Sequence, residues 1–273
     1  MSCSDRNNND DENENINRTY ISKVTITDGP NGYNPDVRTR TYKLNYDLNK
    51  KLTSIATSDS FYGYSSPNPS LVTLSATYNI EYENGQIIRV YTDCKTNDCD
   101  LNLPGNSNFE GTYQIYFKYG IENGYKSVNA YKQVLDHKDS IISSYEIEQY
   151  LLLPNNLVKR VEGHTEIIYS NNNAIGVQNA SAYNKGLKYL NYDDKKSVVI
   201  YTDYTHIIDR GDYFPRLILD LKYSKNNYTK LDFGFRDQHQ IIDFSYDFKD
   251  RPTKRTVFNN GSFDYEEIFE YLD

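Results

Sequence analysis

The sequence lacks the features that mark helical and membrane-embedded proteins. It has no tryptophan and one methionine, and long patterns with helical periodicity are missing. Since hydrophobic periodicity is the main signal of secondary structure, a helical bundle is not favoured. The aromatic girdles of a membrane barrel would have to be built from tyrosine alone. Residues 129–136 fit two helical turns or a strand equally well.

Catalytic motifs are also missing. No serine lies in a nucleophile elbow, and no glycine-rich loop has the pattern that cradles phosphate. The histidines are isolated: His137, His164, His206 and His239. Two acid pairs are present, Asp193 with Asp194 and Asp209 with Asp212. Glycoside hydrolysis needs two carboxyl groups about 5 to 10 Å apart, but acids that form turns in solvent are the simpler interpretation. We therefore expect no enzyme and no cofactor.

Basic residues are outnumbered, with 30 against 38 acidic ones and a net charge of −8 at pH 7. Residues 4–15 hold five acids and one arginine, so −4 of this charge lies in a short N-terminal segment. The remainder is mildly acidic and shows no clustered basic face, which a nucleic-acid footprint would need. We expect no nucleic-acid partner.

The N-terminal segment differs in composition from the rest of the chain. Residues 4–15 contain no apolar side chain and cannot offset the entropy of ordering. We predict a disordered acidic tether over residues 1–18 and a single β domain over residues 19–273. Cys3, followed by Ser-Asp and this tether, looks like the lipidated cysteine of a mature bacterial lipoprotein. A free cysteine in a tail is the alternative, and no lipobox is present to decide between them.

Cysteine is scarce, and two of the three copies lie close together. Cys94 and Cys99 form an even pair in a turn-rich segment, which favours a small loop-closing disulfide in an oxidising compartment. Two reduced thiols or half of a metal site are the alternatives. No second Cys or His pair has ligand spacing, so zinc is not expected. The same segment has oxygen ligands for calcium: Asp93, Asp98, Asp100 and Asn102. The EF-hand spacing is absent, and we predict no metal site.

Tyrosine is abundant instead, with 28 copies, and it leads a repeated pattern. Residues 42–47 pass through a polar turn into residues 51–55, and residues 241–247 pass through a similar turn into residues 251–257. In both copies apolar and polar residues alternate, which is typical of a strand with one buried face. Each copy therefore predicts a β-hairpin with a tyrosine-rich inner row.

The turns of the two hairpins share an aspartate, Asp47 or Asp247, at the end of the first strand. Its carboxylate is placed to accept backbone N–H groups of the turn, and Lys51 or Arg251 begins the partner strand opposite it. Looser copies lie at residues 78–83 with the turn 84–85, and at residues 113–119, 189–200 and 217–233. We predict an all-β antiparallel meander of about 12 to 16 short strands, forming a strongly curved sheet or a barrel-like body.

A water-soluble sheet is favoured over a transmembrane barrel by strand length. Spanning takes about 9 to 11 residues per strand, whereas the apolar row in residues 42–48 is shorter. Arg38 and Arg40 precede it on the same face. A charged side chain there would cost roughly 2 to 4 kcal/mol at the bilayer midplane.

The segments 46–52 and 246–252 resemble the Tyr-Asp repeats of Rhs-type proteins. Residues 19–273 are similar to the secreted Bacteroidota lipoproteins of unknown function that carry such repeats on a porin-like antiparallel sheet. The usual turn glycine is replaced by Lys50 and Asp250, and Asn49 or Asp250 is predicted to take the left-handed conformation instead. The resemblance implies fold and location, namely an outer-membrane-anchored lipoprotein at the cell surface or in the periplasm, and it transfers no catalytic residue. Membrane contact is then expected only through the lipid anchor.

Two aromatic loops are the candidate binding sites. One contains Phe61, Tyr62 and Tyr64, and the other contains Tyr213 and Phe214. Rings beside polar groups suit stacking on a sugar or docking of a protein, although they also suit plugs for the ends of the sheet. We expect a binding module for a glycan, lipid or protein, or else a structural component of the envelope. Tyrosine rings in a groove favour a glycan, a wide apolar mouth favours a lipid, and a flat exposed edge favours an assembly role.

Overall fold

The described part of the chain is almost entirely β-strand. A computed structural model of the protein describes residues 20–29, 38–63, 70–92, 112–136, 138–154, 157–161, 165–178, 187–197, 224–234 and 238–272. The strands within these ranges are β1 (Ile21–Asp28), β2 (Thr39–Tyr46), β3 (Leu52–Gly63), β4 (Ser70–Glu83), β5 (Gln86–Thr92), β6 (Thr112–Glu122), β7 (Tyr125–Leu135), β8 (Ile141–Leu152), β9 (Val158–Val161), β10 (Thr165–Ser170), β11 (Asn173–Gln178), β12 (Lys188–Lys196), β13 (Asn226–Asp232), β14 (His239–Tyr246), β15 (Pro252–Asn259) and β16 (Ser262–Tyr271). Among these residues, no helix has the length and apolar character needed to cross a membrane.

These strands form one antiparallel sheet of 16 strands. Its order runs from β11 back to β1, continues with β16, and then runs down to β12. The first and last strands pair directly, with Val24 opposite Phe269. All other neighbours in the sheet are neighbours in sequence. The prediction of an all-β antiparallel meander with a barrel-like shape is confirmed, and the sheet is nearly closed.

The sheet comes close to closure where its two edge strands, β11 and β12, approach each other. Hydrogen bonds near this seam join the start of β11 to the segment that leads into β13: Lys225 N to Asn172 O at 2.9 Å, Asn226 N to Asn173 Oδ1 at 2.9 Å, and Ala174 N to Ser224 Oγ at 2.9 Å. A Cβ atom on Gly176 would lie 3.1 Å from the carbonyl oxygen of Leu187, so glycine suits this close approach. Two of these three bonds have a side-chain acceptor, and no regular backbone ladder joins β11 to β12 among the described residues.

The inner face of the sheet holds the apolar rows that the alternation predicts. Tyr42 and Leu44 are buried, Tyr46 is half-buried against the same core, and Lys43 between them is exposed. The register continues the row across the sheet, since Val24 of β1 lies opposite Tyr42. Burying an aliphatic side chain of this size stabilises the fold by roughly 1.5 to 3 kcal/mol.

Residues 129–136, for which the sequence leaves helix and strand open, lie in β7 and the start of the following turn. The strand alternative is confirmed and the helical one is wrong. Ala130 is buried between Phe117 of β6 and Glu148 of β8, so pairing on both sides decides the conformation. The looser copies at residues 78–83 and 113–119 lie in β4 and β6. The copies at 189–200 and 217–233 are described only in part, in β12 and β13.

The two ends of the sheet differ. Even-numbered strands finish and odd-numbered strands begin at one end, which we call the tyrosine end for the row of hydroxyl groups found there. Tyr20 and Leu272 also lie at this end, where Leu272 N donates to Tyr20 O at 2.9 Å. The opposite end, at which odd-numbered strands finish, is the far end. The predicted tether, residues 1–18, lies outside the described residues and would join the body at the tyrosine end.

Candidate functional site

A row of tyrosines marks the tyrosine end. Six of them, on even-numbered strands, donate their hydroxyl hydrogen to a carbonyl near the start of the preceding strand: Tyr46 to Ile21, Tyr82 to Leu52, Tyr119 to Ile87, Tyr169 to Val158, Tyr192 to Ala174 and Tyr271 to Pro252. Burial raises the pKa of Tyr82 to about 12, with a smaller contribution from the charge of Asp47. Burial also raises the pKa of Tyr119 to about 12. The row packs the inner face here and binds adjacent strands together.

The two repeat turns lie at the same end of the sheet as this row. Asp47 accepts the N–H groups of Asn49 and Lys51, both at 2.8 Å, as the sequence predicts. Lys50 N donates to Asp47 O at 3.0 Å, which closes a four-residue turn. Lys50, with φ of 61°, then takes the left-handed conformation, and Asp47 N donates to Lys51 O at 2.9 Å where the hairpin ladder begins. The prediction for Asn49 is wrong, because Asn49 lies inside the turn and the left-handed residue must follow it.

The second copy has the same geometry. Asp247 accepts the N–H groups of Lys249 and Arg251, both at 2.9 Å. Asp250 has φ of 58°, which confirms its predicted left-handed conformation. Burial acts to raise the pKa of Asp247, but hydrogen bonds from Arg251 and Lys249 outweigh it and hold the pKa below its ordinary value. The basic residues differ between the copies, since Arg251 pairs with Asp247 whereas the ammonium of Lys51 lies 3.7 Å from the ring centre of Tyr82.

A third copy of the turn joins β7 to β8, and sequence reasoning missed it. Asp136 accepts the N–H groups of Lys138 and Ser140 at 2.8 and 2.9 Å, and Asp139 has φ of 60°. No tyrosine precedes this aspartate and no basic residue ends the turn, so the full motif is absent. The signal that remains in the sequence is an aspartate, Asp136, followed three residues later by Asp139, the residue that takes the left-handed conformation. This copy lies at the far end, while the other two lie at the tyrosine end.

A depression of about 390 Å³ lies beside the first repeat turn, between β1, β2 and β16. It is lined by Ser22, Lys23, Lys43, Leu44, Asn45, Tyr46, Asp47, Lys50, Glu270 and Leu272. Lys23 and Lys43 lie directly opposite each other in the register, and Lys23 Nζ pairs with Glu270 Oε1 at 2.7 Å. Lys43 has no carboxylate partner among the described residues. Tyr46, which lines the depression, packs its ring edge to face on that of Tyr20, with centres 5.4 Å apart.

This depression offers both donors and acceptors to a ligand. Ammonium groups donate, carboxylates accept, and the amide of Asn45 does both. Like charges placed directly opposite on a sheet are unfavourable, so the Lys23–Lys43 pair suits a ligand that brings hydroxyl or acidic groups. The sequence shows Lys43 and Asn45 only as the outward row of a strand, because the contribution of Glu270 depends on the pairing of β16 with β1.

Charged residues also lie on the inner face. The side chains of Arg255 and Glu267 are 1% and 3% exposed, with Nη1 and Oε2 3.3 Å apart. Arg255 also donates to the hydroxyl of Tyr228 at 3.4 Å. Arg40 Nη2 and Asp28 Oδ1 form a second pair at 2.5 Å. Both arginines occur in phase with apolar rows, which is the sequence signal for an inward charge.

The acid pair of Asp193 and Asp194 does not converge on one site. Asp193 accepts hydrogen bonds from the hydroxyl of Tyr246 and from the side chain of Asn227. Asp194 is exposed, as expected for the next residue of a strand. Burial raises the pKa of Tyr246, and the hydrogen bond to the Asp193 carboxylate raises it further. Asp193 therefore serves as a structural acceptor between β12, β13 and β14.

The remaining predicted site residues lie outside what the structure describes. These are Cys3, Cys94, Cys99, Tyr64, Tyr213 and Phe214, together with the side chains of Phe61 and Tyr62 in β3. The other acid pair, the candidate calcium ligands and three of the four histidines are outside it as well. His239 begins β14, where its N–H donates to Asn260 Oδ1 at 3.0 Å. Among the described residues, no three His, Cys, Asp or Glu side chains are grouped to hold a metal ion. The predicted lipid site, disulfide and binding loops stay predictions.

Comparison with known proteins gives structural relatives only. No protein-family model and no curated protein matches the chain. Among solved structures, the chain is similar to a porin-like protein from Bacteroides uniformis, with 12% sequence identity, a TM-score of 0.51, and coverage of 92% of this chain and 98% of that one. A porin-like protein from Bacteroides vulgatus is 14% identical, with a TM-score of 0.43 and coverage of 93% and 99%. At this level of identity the first likeness shows a common fold.

Proposed function

We propose that the protein is a non-enzymatic lipoprotein of the bacterial cell envelope that binds a glycan. Its anchor is a lipid on Cys3, and its location is the outer membrane, with the body at the cell surface or in the periplasm. The composition of the tail supports the anchor. The fold held in common with a porin-like Bacteroides protein supports the envelope. The lipid and protein ligands that the sequence also allows are less well supported.

The observation that carries the glycan assignment is the depression between β1, β2 and β16. It combines ammonium, carboxylate and amide groups with Tyr46, whose ring packs on that of Tyr20. Sugar hydroxyls both donate and accept hydrogen bonds, and their C–H faces pack on aromatic rings. The tyrosine row, in contrast, packs the inner face at this end, so a wide apolar mouth for a lipid is not found there among the described residues.

A glycan array probed with the full chain tests this proposal. We expect retention of a subset of neutral or acidic oligosaccharides, and at least a tenfold loss of affinity in the Lys43→Ser variant, since a charge-assisted hydrogen bond is removed. Lys126→Ser, an exposed lysine on β7, is the matched control and should bind normally. An array without any retained glycan, or equal binding by wild type and Lys43→Ser, would refute the assignment.

The lipid anchor has a separate test. Metabolic labelling with radioactive palmitate in a bacterial host should label the protein, and Cys3→Ser should abolish the label and release the protein from the membrane fraction. Cys94→Ser serves as the control and should stay labelled. Labelling that survives Cys3→Ser would contradict the anchor without bearing on the glycan.

A second candidate function is assembly with another envelope protein, and one edge favours it. On β8, residues 150–152 pair with β9. Residues 141–149 of β8 pair with β7 on one side and, within the described ranges, with no strand on the other side. Ile141 and Ile142 on this segment are exposed. An open edge of this kind accepts an added strand. Ile142→Lys should then weaken self-association or partner capture measured by light scattering, and an unchanged mass would argue against this role.

A further inference from the structure

Two large apolar side chains stand fully in solvent at the tips of the repeat turns. Leu48 is 101% exposed and Phe248 is 90% exposed. Each is the residue directly after the turn aspartate. Single exposed apolar residues are common on proteins, but these two occupy equivalent positions in two copies of one motif. Their equivalence indicates a common role.

The turn itself does not require an apolar residue at this position. The third copy forms the same hydrogen bonds around Asp136, and the residue after that aspartate is His137. The third copy also differs in place, since it lies at the far end. Apolar tips therefore occur in the two copies at the tyrosine end, and the copy at the other end lacks one.

The two tips lie on either side of the N-terminal end of the described chain. The strands β2, β1, β16 and β15 separate the turns, with Tyr20 and Leu272 between them. At about 4.8 Å per strand, the turns are about 19 Å apart along the wall of the sheet. Ile121, which is 73% exposed near the β6–β7 turn, lies at the same end. The apolar tips thus flank the point at which the tether joins the body.

We propose that the tyrosine end rests on a lipid bilayer and inserts Leu48 and Phe248 into its interfacial region. The exposed ammonium groups of Lys50 and Lys249 lie within two residues of the tips and suit lipid phosphate groups, while the apolar tips enter the acyl boundary. Lys249 Nζ lies 5.5 Å from the ring centre of Phe248, so the ammonium group and the ring meet the bilayer at the same place. This contact adds to the lipid anchor, which the sequence alone presents as the sole membrane contact.

The tether is the only part of this inference that rests on the proposed lipoprotein. Its length agrees with a membrane contact. Sixteen residues separate Cys3 from Tyr20, and such a stretch reaches at most about 60 Å. A body held within this distance of the bilayer meets it at a high effective concentration, so weak tips are sufficient. The far end is then directed away from the membrane.

Tryptophan fluorescence tests the contact directly, because the natural chain has no tryptophan. The full chain carrying Cys3→Ser, and therefore no lipid, receives one reporter: Leu48→Trp, Phe248→Trp, or Lys138→Trp in the third turn. We expect a blue shift with vesicles of phosphatidylethanolamine and phosphatidylglycerol for the first two reporters and none for Lys138→Trp. Equal shifts at all three positions, or none at Leu48 and Phe248, would overturn the proposal.

A binding measurement without tryptophan complements this. In vesicle flotation, Leu48→Ser with Phe248→Ser should lower the partition coefficient about 100-fold, at about tenfold for each interfacial side chain removed. The control pair Ile141→Ser with Ile142→Ser removes exposed apolar residues at the far end and should leave partitioning unchanged. Equal partitioning of wild type and the Leu48/Phe248 variant would refute the contact. Because the chain is unlipidated, the result is independent of palmitate labelling and of the glycan array.

Discussion

Asp247 and Arg251 form an ion pair across the β14–β15 turn, with Oδ2 and Nε 2.7 Å apart. The pKa of Asp247 is lowered, so its ionised form stabilises the fold above the pKa of an unfolded aspartate, about 3.9. This contribution is lost as pH falls through the lower pKa of the folded state. Asp247→Asn should therefore lower the midpoint of urea unfolding at pH 7, and the difference from wild type should shrink at pH 3. Asp243→Asn on β14 is the control, and a deficit of equal size at both pH values would contradict the prediction.

The tyrosine row should contribute to stability one hydroxyl at a time. Tyr82 donates to Leu52 O at 2.8 Å, and Tyr82→Phe leaves that carbonyl without this donor while retaining the ring. We expect a loss of about 0.5 to 1.5 kcal/mol in the free energy of unfolding. Tyr131→Phe removes a half-buried hydroxyl that donates no hydrogen bond within the described residues, and it should change stability less. Equal effects would show that the row adds nothing beyond ring packing.

Alkaline pH should act on the same row. The pKa values of Tyr82 and Tyr119 are raised to about 12, whereas an unfolded tyrosine ionises near 10. Raised values mean that the stability is complete below about pH 10 and is lost as pH rises toward 12. Tyrosinate absorbance from Tyr82 and Tyr119 should therefore rise in a late phase near pH 12, together with loss of the β-sheet circular dichroism signal. A single phase near pH 10 with the signal intact would contradict this.

The sequence predicts the sheet because its signals are local. Alternation places Tyr42 and Leu44 in one buried row, and an aspartate before a polar turn predicts the carboxylate contacts of Asp47 and Asp247. The left-handed residue is harder to place, because Lys50 takes this conformation from its position in the turn and lysine has no preference for it. The pairing of β1 with β16 is beyond local reasoning altogether.

The candidate site is harder to predict for the same reason. Its depression combines Lys23 and Lys43 with Glu270, which is distant in sequence and arrives only through the β1–β16 pairing. Arg40 is predicted on the apolar face, whereas the buried pair of Arg255 and Glu267 is not, although Arg255 stands in phase between Thr253 and Val257. An alternation rule that treats every in-phase residue as apolar cannot anticipate a buried ion pair.

The buried pair of Arg255 and Glu267 should be sensitive to loss of one partner. Glu267→Gln leaves the guanidinium in a buried position without its carboxylate, which should cost about 3 to 5 kcal/mol. The double variant Arg255→Met with Glu267→Leu removes both charges and should cost much less. Urea unfolding of the three proteins measures this. A double variant as unstable as Glu267→Gln would show that packing, and not charge, determines the effect.

The seam between β11 and β12 should be the weakest part of the wall, and Ser224 tests it. Ser224 is buried and accepts the N–H of Ala174 at 2.9 Å, so Ser224→Ala leaves that N–H without its acceptor in a buried position. The expected cost is about 1 to 3 kcal/mol. Hydrogen exchange measured by NMR should accelerate at Ala174 and its seam neighbours before it changes at Val24, which is paired on both sides. Exposed Ser245→Ala on β14 is the control. If Ala174 exchanges as slowly in Ser224→Ala as in the wild type, the side chain does not hold the seam, and the backbone contact of Lys225 with Asn172 must be sufficient.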